Sequence, residues 1–243
     1  MPRYGTEKLH IDLKEKLKEL RIKIGRDKFQ KFCREQHLLV PRTKRCFITT
    51  DSKHFFYKSP NRIKDLLPTQ SEQVFVSDIT YIKLDEGYAY LALVTDLYSK
   101  KIMGYKLDDN MKVGMVKEAL KMAMKNRICK RETTIHHSDR GLQYCCPDYS
   151  EFAEKNGFIL STTEKYDPYE NAVAERMNGI LKYEFGLKRI IPSLEVAVKM
   201  VDEAVYLYNN RRLHRSLQMD TPNQAHKKQK HKYATYRKEK TAA

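Results

Sequence analysis

Val74-Phe75-Val76-Ser77-Asp78-Ile79-Thr80-Tyr81-Ile82 is the stretch whose reading decides the fold. At a two-residue period, Val74, Val76, Asp78, Thr80 and Ile82 share one face of a strand, and Phe75, Ser77, Ile79 and Tyr81 share the other. An ionised Asp78 among valine and isoleucine is costly unless it is paired or metal-bound. Outward from this stretch, the strand runs over residues 74–84, Asp85-Glu86-Gly87 makes a hairpin turn, and residues 88–96 return as a second strand. Residues 100–107 read as a third strand. A helix follows over 113–126, with Val116, Leu120, Ala123 and Met124 inward. Then come a short buried strand over 133–137, a helix over 148–156 and a last strand over 158–161. An amphipathic helix over 193–210 turns Leu194, Val198, Val201, Val205 and Leu207 or Tyr208 inward. Periodicity by itself gives a mixed α/β domain and no more.

Two further carboxylates stand in unusual surroundings. Asp139 closes Ile135-His136-His137-Ser138-Asp139-Arg140-Gly141, where an apolar run ends in a turn. Glu175 lies in Glu170-Asn171-Ala172-Val173-Ala174-Glu175-Arg176-Met177-Asn178, which reads as a helix, and 35 residues separate it from Asp139. Two strand-borne aspartates and a helix-borne glutamate can converge on a pair of divalent cations. Such a site stabilises the attacking and leaving oxygens of a phosphodiester displacement. The spacing alone is weak evidence in a chain with 31 acidic residues. On the Glu175 helix, Asn171, Glu175, Asn178 and Lys182 share a face, and Val173, Met177, Ile180 and Leu181 line the opposite one. A plain solvated helix surface would look the same. Asp96 also ends a strand and reads as structural. His136 and His137 read as packing or supporting groups, because Mg²⁺ prefers oxygen ligands. Glu170 is not read as a ligand.

Charge divides the chain of 243 residues. Residues 1–70 carry 18 Lys or Arg against 8 Asp or Glu, residues 71–222 carry 22 of each, and residues 223–243 carry 7 against 1. Basic ends around a neutral middle suit a polyanion gripped by flanking segments. The five cysteines form no C-x-x-C pair, and no leader or membrane-spanning run is legible, so the expectation is a reducing compartment with free thiols. Residues 1–40 read as a small helical unit. Leu9, Leu13, Leu17 and Leu20 stand at helical spacing, Gly25 makes a turn, and a second helix over 26–36 buries Phe29, Phe32 and Cys33. That is a helix-turn-helix outline and equally an ordinary helical hairpin. Residues 41–70 read as a basic linker with three prolines, residues 71–222 as the core, and residues 223–243 as a basic tail, with Pro222 ending the ordered part. Arg211-Arg212-Leu213-His214-Arg215 forms a dense basic turn before that tail.

Several stretches resemble one family. They are Ser77-Asp78-Ile79-Thr80-Tyr81-Ile82, Asp96 through Tyr105, His137-Ser138-Asp139-Arg140-Gly141-Leu142-Gln143-Tyr144, Asn171-Ala172 through Lys182-Tyr183-Glu184, and Tyr208 through Leu217. Together they resemble the retroviral-integrase-like DDE transposases. The likeness is greatest to the bacterial insertion-sequence branch encoded in two overlapping frames, this chain matching the second-frame product. It runs from about Tyr4 to about Ala225. The resemblance implies a ribonuclease-H-like core, a mixed five-stranded sheet flanked by helices, preceded by a helix-turn-helix-like region. It puts the catalytic and metal-binding triad on Asp78, Asp139 and Glu175, holding two Mg²⁺ ions, with Mn²⁺ as a substitute. Lys182, Asn178, Asn171, Arg211, Arg212 and Arg215 are the expected DNA contacts, with Arg176 a weaker candidate.

The implied activity is cleavage at the ends of a mobile element and strand transfer into target DNA. A ribonuclease-H-type nuclease and a catalytically silent DNA-binding remnant are the alternatives. The implied partners are double-stranded DNA, an upstream-frame product or fusion, and further copies of the chain on DNA; no membrane is involved. The expected location is the bacterial cytoplasm, at the nucleoid. The chain departs from the family in three ways. It has no tryptophan, it lacks the family's glycine in the loop before Asn171, and it has no His/Cys zinc module of the kind that precedes retroviral cores.

Overall fold

The computed structural model describes residues 5–39, 54–129, 133–164 and 171–228. Tyr4, Cys46, the first part of the basic linker, the loop carrying Glu170, and the tail after Lys228 lie outside the described residues. The chain divides into two units, residues 1–48 and 49–243.

In the first unit, α1 (Thr6–Asp12), α2 (Lys14–Glu19) and α3 (Arg26–Glu35) form the expected helical run. The glycine turn precedes α3 with Gly25 extended at φ −80°. Phe29 and Cys33 are buried, and the His10 ring packs on Phe29 while its Nε2 meets the Ile24 carbonyl oxygen at 2.9 Å. Phe32, expected inside, is exposed. Phe32 stands about 100° around the helix from Cys33, at the edge of the buried stripe rather than in it.

The second unit is built on a five-stranded sheet in the order β3-β2-β1-β4-β5. Its strands are β1 (Val74–Lys83), β2 (Tyr88–Asp96), β3 (Ile102–Asp108), β4 (Thr134–Ser138) and β5 (Phe158–Thr162). The first three form an antiparallel meander, and β4 and β5 join parallel to β1 and to each other. Gly87, at φ +80°, supplies the left-handed turn between β1 and β2. The helices are α4 (Val113–Lys125), α5 (Leu142–Cys145), α6 (Pro147–Lys155), α7 (Ala172–Glu184), α8 (Leu194–Arg211) and α9 (Pro222–Lys228).

Strand parity sorts the core into two layers. Phe75 goes with Met103, Leu120, Tyr149 and Phe158 against α4 and α6. Ile82, Leu91 and Leu93 go with Met177, Leu181, Val201 and Tyr208 under α7 and α8, and Val74 and Val76 pack on Ala174. On α8 the inward line is Ala197, Val201, Ala204, Val205 and Tyr208, while Val198, expected inside, is exposed. Small Ala197 and Ala204 let this helix approach the sheet. Asn209 seals the sheet edge: its amide donates to the Ile102 carbonyl at 2.9 Å and its oxygen accepts from the Ile102 N–H at 3.0 Å.

Two differences from the sequence reading concern the segments flanking the core. The described part of the linker, residues 54–70, lies on the second unit. His54 Nε2 meets the Arg140 carbonyl oxygen at 2.8 Å, the Arg62 N–H donates to Ser161 Oγ at 2.9 Å, and Thr162 Oγ1 donates to the Ser59 carbonyl at 2.6 Å. Pro222, expected to end the ordered part, instead opens α9 at the position where proline costs a helix nothing. His226 on that helix is buried between Glu72, at 3.1 Å, and Ser99, at 3.0 Å.

Candidate active site

The site forms where β1 loses its parallel neighbour. Ser77 lies opposite Ser138, so the next residues along the two chains are Asp78, midway along β1, and Asp139, just past the carboxyl end of its parallel neighbour β4. Such strand ends are where mixed α/β sheets place their ligands. Asp78 faces α7, as the parity requires, and its carboxylate accepts from Asn178 Nδ2 at 2.7 Å and from the Ile79 N–H at 2.9 Å. Asp139 caps its own turn, with Oδ1 accepting the Gly141 N–H at 3.0 Å.

Helix α7 crosses these strand ends and brings the third carboxylate. Asn171, at its N-cap, donates from Nδ2 to the Ser77 carbonyl at 3.1 Å, and Asn178 holds Asp78 two turns further on. Glu175 is on the same helical face between these two amides. It is exposed, and its charge adds to the upward shift of the Asp78 pKa. Met177, Ile180 and Leu181 bury the opposite side of the helix.

Electrostatics reports the same gathering. The Asp78 carboxyl is pushed up to about 8, first by burial and then by the charges of Asp139 and Glu175, against the pull of Asn178 and the Ile79 amide. Tyr144 is raised well above its ordinary value by burial, with Tyr149, Asp139 and Asp78 adding to it. Lys182 is lowered by burial, and Asp78 resists that shift. The Lys182 ammonium lies 4.3 Å from the centre of the Tyr81 ring. His136 is buried with Nε2 near Ser77 Oγ (2.8 Å) and Tyr149 Oη (3.2 Å), and burial lowers its pKa to about 3, so it is neutral. His137 is equally buried, with Nδ1 at 2.8 Å from Ser161 Oγ. Both histidines support the strand ends.

The donor chemistry suits a hard divalent cation. Burial and the charges of Asp139 and Glu175 both disfavour an ionised Asp78, and two buried amide oxygens nearby, Asn171 Oδ1 and Asn178 Oδ1, have no donor among the described residues. Oxygen donors with room for water ligands are what Mg²⁺ takes. As the side chains stand, no three His, Cys, Asp or Glu among the described residues are gathered closely enough to hold an ion.

The other expected site residues divide sharply. Arg211 and Arg215 are exposed, as is Arg176. Arg212 is 2% exposed and forms a two-pronged ion pair with Glu184, both N–O distances being 2.6 Å. Its assignment to DNA is corrected: the guanidinium ties α8 to the end of α7. Asn171 and Asn178 are likewise buried, and their donors serve the strand and Asp78, so their assignment to DNA is corrected too. Asp96 is buried, accepting from the Glu72 N–H at 2.8 Å and from Ser99 N–H at 2.8 Å and Oγ at 2.5 Å, which makes it a turn-former. Sequence reasoning missed the Glu184 partner of Arg212, although an acid two residues past Lys182 was there to be seen. It also missed His54, which fixes the Asp139 turn through Arg140.

Comparison with known proteins agrees with this architecture. The family described as Integrase core domain matches residues 68–168, and a second family of that description matches residues 156–222. The chain is 32% identical over 209 residues to the insertion element IS600 uncharacterized 31 kDa protein of Shigella sonnei, covering 86% of this chain and 75% of that protein. It is 30% identical to the transposase for insertion sequence element IS629 of Shigella sonnei, over 68% of this chain and 55% of that protein. With transposase InsF of insertion sequence IS3A from Escherichia coli it shares 35% identity, over 50% of this chain and 42% of that one. The chain thus spans about half the length of these last two relatives.

Among solved structures, a simian T-cell lymphotropic virus intasome in complex with a PP2A regulatory subunit superposes with a TM-score of 0.57 at 18% identity, covering 80% of this chain and 66% of that one. The HTLV-2 integrase catalytic core domain in complex with magnesium, in its trimeric form, gives 0.50 at 19% identity, over 66% of this chain and 98% of that one. The structural likeness establishes the fold, that of a retroviral integrase core, and the sequence likeness establishes the kinship. The chain belongs to the integrase-core family of insertion-sequence transposases.

Proposed function

We propose that this chain cuts DNA at the ends of a mobile element and joins the freed ends to target DNA. The observation that supports the reading is the placement of Asp78 and Asp139 on adjacent parallel strands under α7, whose Glu175 is near enough for its charge to raise the Asp78 pKa. Asp78, Asp139 and Glu175 would hold two Mg²⁺ ions, which at such a site neutralise charge on the transferring phosphate and lower the pKa of the attacking oxygen. Asn178 orients the Asp78 carboxylate, and the Gly141 amide orients Asp139. The stiff sheet below keeps both at fixed spacing, which is the protein's main contribution to a reaction governed by positioning. Lys182, on the same face of α7 as Glu175, offers an ammonium to the DNA backbone once it leaves the Tyr81 ring. In the first step water displaces the 3′ oxygen of the element end from its phosphodiester; in the second, that hydroxyl attacks a phosphodiester of the target, becoming joined to the target's 5′ phosphate as the target's 3′ oxygen leaves. The upstream-frame product of the element and further copies of this chain are the proposed partners on DNA.

The test is strand transfer with a labelled element-end duplex in the presence of Mg²⁺. Joined products support the reading. Nicking without joining points to a nuclease, and DNA binding without nicking points to a silent remnant.

A further inference from the structure

Residues 54–58, His54-Phe55-Phe56-Tyr57-Lys58, cross the second unit beside the Asp139 turn. Phe56 packs on the core layer under α4 and α6, and the chain bends at His54 and Phe56, leaving Phe55, whose ring centre is 4.6 Å from that of Phe56, and Tyr57 facing outward. They are 91% and 79% exposed, and no other large apolar or aromatic side chain among the described residues is as open. Exposed aromatic rings on either side of a buried one are costly to leave in water, and two together call for an occupant.

The surroundings point to its chemistry. Between His54 and Lys64 the chain carries Lys58, Arg62 and Lys64 and no acidic residue. Lys58 Nζ donates to the His54 carbonyl at 2.9 Å, Arg62 Nε to the Leu160 carbonyl at 3.3 Å, and Arg140 Nε to the Thr163 carbonyl at 2.5 Å. Main-chain carbonyls thus hold Lys58, Arg62 and Arg140 without cancelling their charge, whereas Lys64 is paired with Glu164 at 3.5 Å. Flat rings interleaved with fixed cations are the arrangement that binds unpaired nucleotides, the rings stacking on bases and the cations following the backbone. The segment is pinned to the Asp139 turn by the 2.8 Å contact of His54 Nε2 with the Arg140 carbonyl oxygen.

We propose that Phe55 and Tyr57 form a stacking platform for unpaired bases of the DNA end lying in the active site. The proposal rests on the function proposed above and deepens it: the site would take an end whose terminal bases have left the duplex. Rings placed next to a cleavage site reward such fraying, and so select a distorted end over an intact duplex.

The test uses the full chain and two DNA probes of equal length, one fully paired and one with unpaired terminal nucleotides carrying 2-aminopurine. The double variant Phe55→Ala/Tyr57→Ala is expected to bind the unpaired probe about tenfold more weakly, the loss of one to two stacked bases. Binding to the paired probe and the melting temperature should stay as they were. Quenching of 2-aminopurine should be seen with the parent chain and lost in the double variant. Phe55→Trp/Tyr57→Trp should keep both affinity and quenching, because any flat ring stacks. Equal loss on the two probes, or no loss on either, overturns the platform and leaves the transposase reading intact. Retention of quenching in the alanine variant also overturns it. Failure of the parent chain to bind either probe would overturn the transposase reading and the platform together.

Discussion

Arg211, Arg212 and Arg215 read alike in the sequence and part company in the fold. Arg212 sits in the interior on Glu184, whereas Arg211 and Arg215 face water. Removing one partner of a buried ion pair costs about 3 kcal/mol or more. Arg212→Ala should therefore lower the melting temperature strongly, whereas Arg211→Ala and Arg215→Ala should leave it in place and flatten the salt dependence of DNA binding by about one counterion each. Thermal unfolding and binding titrations across a salt series separate the two behaviours. Asp78 permits a prediction of opposite sign. Its folded-state pKa, about 8, stands above the ordinary aspartate value, so the folded chain binds the extra proton and loses stability as pH rises between the two. Without divalent cations, Asp78→Asn should thus raise the melting temperature at pH 8 and have no such effect near pH 4. A fall at pH 8 would mean that the carboxylate is not repelled by its neighbours.

The elements show where sequence patterning sufficed and where it did not. Strand β1 was legible to its parity because alternation has a fixed period and a one-residue slip would have put Asp78 on the wrong layer. Helix α7 was legible as a face but misjudged in its surroundings: Asn171 and Asn178 looked like a solvated stripe, and only tertiary packing shows that Ser77 and Asp78 absorb their donors. Helix α9 was missed because seven residues that begin with a proline and end in two lysines carry no periodic signal; one buried imidazole holds it. Burial works to lower the His226 pKa, but Asp96 and Glu72 outweigh it and the net shift is upward, while Glu72, held by His226 and the Ile128 and Cys129 amides, is lowered. Lys101 opposes the His226 charge, and Arg127 reaches Glu72 at 3.5 Å. The imidazolium contribution is full below the ordinary histidine value and lost as pH rises through the raised one. The protection of α9 amides, taken relative to the intrinsic exchange rate at each pH, should therefore fall on the alkaline side, and His226→Gln should remove that fall while costing about 3 kcal/mol. Gly104 offers a second check at this scale. A Cβ there would stand 2.1 Å from the Ala119 carbonyl oxygen and 2.6 Å from the Ala123 nitrogen, so Gly104→Ala must push α4 off the sheet and should cost about 3 kcal/mol in chemical denaturation.

At the scale of the whole molecule, charge and core do different work. The formal charge of +16 is carried at the two ends, and the core between them is neutral. We place the grip on DNA in those ends and the chemistry in the core. Deletion of residues 229–243, which carry 5 Lys or Arg and 1 Glu, should weaken nonspecific DNA binding and flatten its salt slope while leaving the His226 anchor intact. An unchanged slope would separate those residues from phosphate. The alternation of strands and helices made a mixed α/β domain readable, and the resemblance supplied the ribonuclease-H-like sheet order, which the strands adopt. The triad was readable only through the resemblance, since three acids among 31 carry no mark of convergence in the sequence, and the packing of β1, β4 and α7 puts Asp78 and Asp139 on neighbouring strands with the Glu175 charge within reach of Asp78. The central claim is that convergence, and Mg²⁺-dependent nicking of an element-end duplex tests it most directly. Asp78→Asn, Asp139→Asn and Glu175→Gln should each abolish nicking while DNA binding persists, because an amide keeps the shape and loses the charge that holds the cation. Asp96→Asn should retain activity in the fraction that folds. Full nicking by Glu175→Gln, or by either aspartate variant, would contradict the account.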